Sequence, residues 1–291
     1  MSRPSSGRPV GVFDSGVGGL SVLRDLRAAL PAEELLYFAD QLHCPYGERD
    51  PAEIEALTLS ALRWLEARGC KLVVIACNTA CAFSLTSVRA QLADDLPVVG
   101  LVPALKPAAQ QSRSRVVGVL ATPVTLEGSL LREVIDRHAV PAGVSVHGVW
   151  HRDLVPLVEA GEADSPRAEE LLREVLGPLR DAGADTLVLG CTHYPFLAGA
   201  IRRAFGNAFA LLDSGPGVAR RVRALLSDRG ELREEGSGGV RVVTSGDPDR
   251  ARRVVRQLLG QELPVEGLAP DAAVWPPGLA VSPPLRAEKR S

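Results

Sequence analysis

The sequence predicts an α/β fold of two similar domains, each a mainly parallel sheet flanked by helices, with the functional site in the cleft between them. Three observations carry this. Short apolar runs such as Leu72-Val73-Val74-Ile75 and Leu187-Val188-Leu189 lack polar alternation, which suits strands buried on both faces of a parallel sheet. These runs alternate with segments of helical period along most of the chain, the order of βαβ units. Finally, an apolar run that stops at a cysteine followed by small polar residues occurs twice, at Cys77-Asn78-Thr79 and at Cys191-Thr192-His193.

Taken in order, Val10-Gly11-Val12-Phe13 reads as a strand entering the glycine-rich turn Asp14-Ser15-Gly16-Val17-Gly18-Gly19. Leu20, Leu23, Leu26 and Leu30 then mark a helix stopped by Pro31. Residues 35–39 are a second strand ending at Asp40, and the loop through Pro45-Tyr46-Gly47 has the residues of a fixed irregular turn. Pro51 opens a helix with Ile54, Leu57, Ala61 and Trp64 on one side, before the first cysteine strand. Strands are expected at residues 98–101, 116–121 and 144–149, and a Glu/Arg-studded helix at residues 165–181 before the second cysteine strand. A strand at residues 210–212, a helix through Leu226, a polar loop, a strand at residues 240–244 and a helix at residues 247–259 complete the pattern. Strand-Asp14 and strand-Cys77 correspond loosely to strand-Thr122 and strand-Cys191, so the cysteines would face each other across a cleft. From about Gly267 the chain is Pro/Ala-rich and reads as a tail without a core of its own.

Composition narrows the function. A chain of 291 residues with 46% hydrophobic and 23% charged residues is that of an ordinary globular protein. A net charge of −2 gives no electrostatic reason for a nucleic-acid partner. No apolar run nears the roughly 20 residues of a membrane span, and residues 1–9 lack the apolar middle of a secretory signal. Five cysteines, an odd number, make no disulfide framework, so a reduced, cytoplasmic protein is expected.

In parallel sheets, functional groups collect where strands end at their carboxyl edge. Two thiols at two strand tips suit a reaction in which a proton leaves one face of a carbon and another arrives on the opposite face. Buried inert thiols are the competing reading for Cys77 and Cys191. Zinc is a poorer one, because the spacings Cys77/Cys81 and Cys191/His193 are not those zinc sites favour. His193 either pairs with a cysteine as a nucleophile, as in a thiol hydrolase, or tunes a neighbouring thiol. Asp14 either caps the helix that follows or receives an ammonium group, with the Ser15 hydroxyl and turn amides suited to a carboxylate. Glu159, in Val155-Pro156-Leu157-Val158-Glu159, reads by spacing alone as a solvated helix carboxylate.

Together, Asp14-Ser15-Gly16-Val17-Gly18-Gly19, Pro45-Tyr46-Gly47, Ala76-Cys77-Asn78-Thr79-Ala80 and Gly190-Cys191-Thr192-His193-Tyr194-Pro195 resemble the glutamate racemases of the aspartate/glutamate racemase family. The resemblance implies a first domain of residues 1–97 and 207–266, a second of residues 98–206, and the tail at 267–291. It implies interconversion of L- and D-glutamate for peptidoglycan synthesis, with no cofactor, no metal and no nucleic-acid or membrane partner, and it leaves room for a homodimer. Cys77 and Cys191 would be the proton donors and acceptors, assisted by Asp14 on one side and by Glu159 with His193 on the other. Asp14, Ser15, Tyr46, Gly47, Asn78, Thr79, Thr122, Thr192 and His193 would bind substrate, and Thr125 would belong to a wall beside it. The chain departs from the family pattern at Gln41, where Thr is usual, at Gly128, and at His151-Arg152, where Cys-Pro is frequent. Neighbouring readings are a racemase for aspartate and a non-enzymatic interaction protein on the same scaffold.

Removing the α-proton of an amino acid without a pyridoxal electron sink requires directed donors to hold an enediolate-like carboxylate. Asn78, Thr79 and Thr192 are suitable donors, and the three lysines, Lys71, Lys106 and Lys289, have no site context.

Overall fold

The computed structural model describes residues 7–269 and 274–275. Its strands are β1 (Val10–Asp14), β2 (Leu35–Ala39), β3 (Leu72–Ile75), β4 (Val98–Val99), β5 (Val116–Leu120), β6 (Ser145–Val149), β7 (Thr186–Leu189), β8 (Ala210–Leu212), β9 (Val240–Thr244) and β10 (Val265–Gly267). They form a six-stranded sheet in the order β10-β9-β2-β1-β3-β4 and a four-stranded sheet in the order β6-β5-β7-β8. Every pairing is parallel. The expected α/β class with parallel sheets is therefore present.

The smaller sheet repeats the β2-β1-β3-β4 part of the larger one. In both, the chain leaves a central strand, β1 or β5, first toward one side and then toward the other. The crevice at such a reversal opens at the carboxyl ends of the strands, where ligands bind in open α/β sheets. The weak sequence repeat is thus a repeat of topology.

Burial explains the strands. All residues of β1, β2 and β3 are buried, as expected for a sheet covered on both faces. The helix Pro51–Ala67 starts at Asp50, whose carboxylate accepts the Ala52 N–H at 2.9 Å, and it buries Ile54, Leu57, Leu62, Trp64 and Leu65. Trp64 stacks on Phe38 of β2 with ring centroids 4.6 Å apart. The helix Pro166–Asp181 covers the second sheet with Ala168, Leu172, Leu176 and Leu179.

Strand pairing shows where the chain passes between the sheets. Val98–Val99 pairs with Val73 and Val74 in the first sheet, and Ala210–Leu212 pairs with Thr186 to Val188 in the second. The chain therefore crosses between the sheets after β4 and again after β8. A two- or three-residue strand carries too little apolar pattern to say which sheet it joins. The described part of the expected tail adds to the first sheet and its core. Gly267 ends β10, and Val274 and Trp275 pack on the first core. Trp275 stacks on Phe38 at 5.9 Å and meets His43 edge-on at 4.9 Å. The remainder of residues 267–291 lies outside the described residues. Among the described residues no helix is long and apolar enough to cross a membrane.

Lys71, just before β3, is fully buried at the end of the strand opposite Cys77. Its Nζ lies 2.7 Å from Glu33 Oε2 and donates to the Glu231 carbonyl at 2.7 Å. Removing one partner of a buried pair strands the other charge, which costs about 3–5 kcal/mol. Lys71→Met is accordingly expected to lower the denaturant midpoint sharply; an unfolding free energy within about 1 kcal/mol of the parent would contradict this reading of the pair.

Candidate active site

Register places the reactive side chains. Phe13 of β1 pairs with Ile75 of β3, which sets Ser15, one residue beyond β1, level with Cys77, two residues beyond β3. Leu120 of β5 pairs with Leu189 of β7, which in the same way sets Thr122 level with Cys191. Both cysteines line one cavity of about 340 Å³ between the two sheets.

On the first wall, Cys77 caps the helix Asn78–Gln91, its Sγ accepting the Ala80 N–H at 3.5 Å. Ser15 Oγ lies 3.6 Å from the same sulfur. Burial pushes the Cys77 thiol well above its usual range, and the neighbouring Asp14 carboxylate pushes further, against the lowering effect of the Ala80 and Ser15 hydrogen bonds. On the second wall, Cys191 Sγ lies 3.6 Å from His193 Nδ1, and His193 Nε2 lies 2.7 Å from Glu159 Oε1. Burial alone would lower the His193 pKa, but its hydrogen bonds to Cys191 and Glu159 and the charges of those groups together hold it well above the ordinary value. Burial would raise Glu159, yet its bonds from His193, Gln41 and the Val17 N–H keep the carboxyl below its usual range. The Glu159–His193 pair is therefore carboxylate and imidazolium, with the cationic ring against Cys191.

Asp14 is fully buried, and burial, the largest cause, raises its pKa to about 7. It accepts the Gly16 N–H at 2.7 Å and the Thr192 hydroxyl at 3.0 Å. It does not cap the helix Leu20–Ala29, whose N-cap position is Gly19 without a side-chain bond. Two glycines let the first turn approach the second wall. A Cβ on Gly16 would sit 2.0 Å from Glu159 Oε1, and one on Gly18 would sit 2.4 Å from His193 Nδ1. Through this close fit Val17 N–H donates to Glu159 Oε1 at 2.7 Å, and Ser21 Oγ donates to the Thr192 carbonyl at 2.8 Å.

Of the residues singled out in the sequence, Ser15, Tyr46, Gly47, Cys77, Asn78, Thr79, Thr122, Cys191, Thr192 and His193 line the cavity. Asp14 and Glu159 do not; they stand behind Thr192 and His193. Full burial turns the Asp14 oxygens toward two protein donors, the Gly16 N–H and the Thr192 hydroxyl. Thr125 is buried beside the lining, its hydroxyl 3.0 Å from that of Thr122, which in turn lies 3.2 Å from the Thr79 hydroxyl. Asn78 Oδ1 is buried and accepts no hydrogen bond among the described residues.

The other thiols, Cys44, Cys70 and Cys81, are buried and do not line the cavity. Cys81 accepts the Leu101 N–H at 3.2 Å, and burial pushes both Cys81 and Cys70 up to about 12. Cys44 is buried beside the Glu159–His193 pair, and donor atoms of the three lie within 4.8 Å of one another. That set could ligate a metal ion, but Glu159 and His193 are already joined to each other.

The family model described as Asp/Glu/Hydantoin racemase matches residues 10–222, which include every residue named in the cavity. The chain belongs to the Asp/Glu/Hydantoin racemase family. Within it, the chain is 56% identical over 256 residues to the glutamate racemase of Deinococcus radiodurans, covering 88% of each. Among solved structures, Escherichia coli glutamate racemase in complex with L-glutamate and the activator UDP-MurNAc-Ala superposes with a TM-score of 0.78 at 33% identity, covering 90% of this chain and 98% of that one. Glutamate racemase from Francisella tularensis in complex with D-glutamate gives a TM-score of 0.79 at 27% identity, covering 91% of this chain and 98% of that one.

Several lining residues of this family member were not foreseen from its sequence: Glu48, Pro123, Trp150 and Val155; Arg152, noted there only as a departure from the family pattern, lines the cavity as well. His151, which carried no context in the sequence, also stands at the cavity, its Nδ1 accepting the Asp153 N–H at 3.1 Å. Trp150 and Arg152 are exposed, and nothing in an isolated exposed tryptophan or arginine signals a cavity rim.

Proposed function

We propose that the chain is a cofactor-independent glutamate racemase, with Cys77 and Cys191 exchanging protons with opposite faces of the α-carbon. The observation that carries this is the placement of two strand-tip thiols on one cavity with different partners. Cys77 is held protonated by burial, whereas Cys191 faces an imidazolium. Two opposed acid/base groups need different starting states, one to abstract and one to deliver.

The remaining lining fits an amino acid. The amides at the start of the helix Asn78–Gln91, with Thr79, Thr192 and Ser15 hydroxyls, offer donors for a carboxylate gaining enediolate charge. Asn78 Oδ1 offers an acceptor for the ammonium group. Lys71 is engaged with Glu33 and Lys106 is exposed, so neither described lysine stands at the cavity to form an imine. The relatives' glutamate complexes favour glutamate over aspartate, and peptidoglycan supply is the use that this activity suggests. The cleft lies between two domains, residues 7–100 with 213–269 and residues 101–212, in this reading.

Incubation in D₂O tests it. Glutamate is expected to gain deuterium at the α-carbon with inversion, without added pyridoxal phosphate, and at least about tenfold faster than aspartate, the discrimination one methylene allows. Faster turnover of aspartate would reassign the substrate. A covalent acyl-enzyme with no α-exchange would make the protein a thiol hydrolase.

A further inference from the structure

We propose that Gln41 is a positioning residue for the Cys191 side of the reaction: from the first sheet it grips the outer oxygen of Glu159 and so fixes the carboxylate that orients His193. The inference rests on the two-thiol reading above and adds a residue to it.

Glu159 has two oxygens with different duties. Oε1 receives His193 Nε2 and the Val17 N–H, both at 2.7 Å. Oε2 receives Gln41 Nε2 at 3.0 Å. Gln41 Oε1 in turn accepts the Thr244 hydroxyl at 2.8 Å, and Thr244 Oγ1 accepts the Gly246 N–H at 3.0 Å. An ionised carboxylate only accepts, so the amide must present its nitrogen to Glu159 and its oxygen to Thr244. The orientation is therefore dictated by chemistry. Gly246 leaves the space this requires, since a Cβ there would sit 3.0 Å from Gln41 Cβ.

The chain Thr244–Gln41–Glu159–His193–Cys191 crosses from β9 of the first sheet to the tip of β7 in the second. Among the described residues no comparable chain of hydrogen bonds joins Gln41 to Cys77. Loss of the amide donor should therefore slow proton transfer at Cys191 and spare that at Cys77. The other groups facing Glu159 electrostatically are Asp14, the Cys44 thiol and the Tyr37 hydroxyl, and the hydrogen bonds of the Gln41 side chain go to Glu159 and Thr244 instead.

The test compares the parent with Gln41→Leu and Gln41→Glu. In Gln41→Leu, kcat/KM is expected to fall about tenfold, the effect of losing a hydrogen bond to a charged group. It must fall equally in both directions, because the equilibrium constant of a racemisation is one. The isotope effect with α-deuterated substrate should, however, rise in only one direction, that in which Cys191 abstracts. Gln41→Glu places a carboxylate against Glu159; its activity relative to the parent should recover as pH falls and the new carboxyl becomes a donor. Independently of turnover, the ¹³C titration of the Glu159 carboxyl, assigned by difference with Glu159→Gln, should move to higher pH in Gln41→Leu, because a donor to the charged form is lost. A kcat/KM within twofold of the parent, equal isotope effects in both directions, or an unmoved Glu159 titration would each overturn the proposal. If the parent does not turn over glutamate, the functional reading fails, while the carboxyl titration still decides whether Gln41 holds Glu159.

Discussion

Cys77→Ala and Cys191→Ala are each expected to reduce racemisation of glutamate by at least about 10³-fold, within the range that a positioned acid or base contributes. The fold should survive. Both thiols stand two residues beyond a strand end, on the cavity wall, so truncating either leaves the strand pairings intact. Far-ultraviolet circular dichroism should match the parent, while Cys77→Ala, which also gives up the cap on the Ala80 N–H, should melt at a somewhat lower temperature. Serine at either position should restore at most a trace, because a hydroxyl is a far poorer base than a thiolate. The two variants should also fail differently. With one base left, an enantiomer whose α-proton faces it can still exchange that proton and recover it from the same side. In D₂O each variant should therefore label only one enantiomer, with retention, and the two variants should label opposite ones. Near-parental racemisation by either variant would end the two-thiol mechanism.

The placement of the two thiols was visible in the sequence because it is set locally. A strand buried on both faces must be continuously apolar, so the residue where the run stops marks a strand tip, and Cys77 and Cys191 were legible for that reason. The parallel class followed from the same runs. Elements that break the pattern were not legible. β10 contains Glu266 and Gly267 and lies at a sheet edge, and the helix Leu105–Gln111 carries Pro107 in its first turns. The second line of groups was legible only through the family resemblance. Glu159 looks like a surface carboxylate by spacing, yet it is 2% exposed because glycines at 16 and 18 let a distant turn close over it. Gln41 is separated from Glu159 by 118 positions and from Thr244 by 203. No window along the chain contains both ends of those contacts, and only the closing of the two sheets against each other makes them.

The same closing explains why Asp14→Asn should stabilise the protein and disable it. Burial without a cationic side chain in direct contact raises Asp14 to about 7, whereas an unfolded aspartate titrates at about 3.9. The folded chain therefore holds this proton more tightly than the unfolded chain does. The stability that comes with holding it is complete below about pH 4 and is lost as pH rises toward 7. Above pH 7 the buried charge costs on the order of 4 kcal/mol relative to a neutral group of the same shape. Asparagine keeps the acceptor for the Gly16 N–H and cannot ionise. Its melting temperature should exceed that of the parent at pH 8 and approach it at pH 4, and a difference independent of pH would show that Asp14 does not titrate in this way. Activity should move oppositely, falling by about 10²-fold or more. A carboxyl that titrates near neutrality beside Cys77 can take or return the proton that a buried thiol cannot release unaided, and an amide cannot. In the proposed mechanism, stability surrendered at Asp14 is the condition for a thiol at Cys77 that is protonated at rest and still able to act as a base.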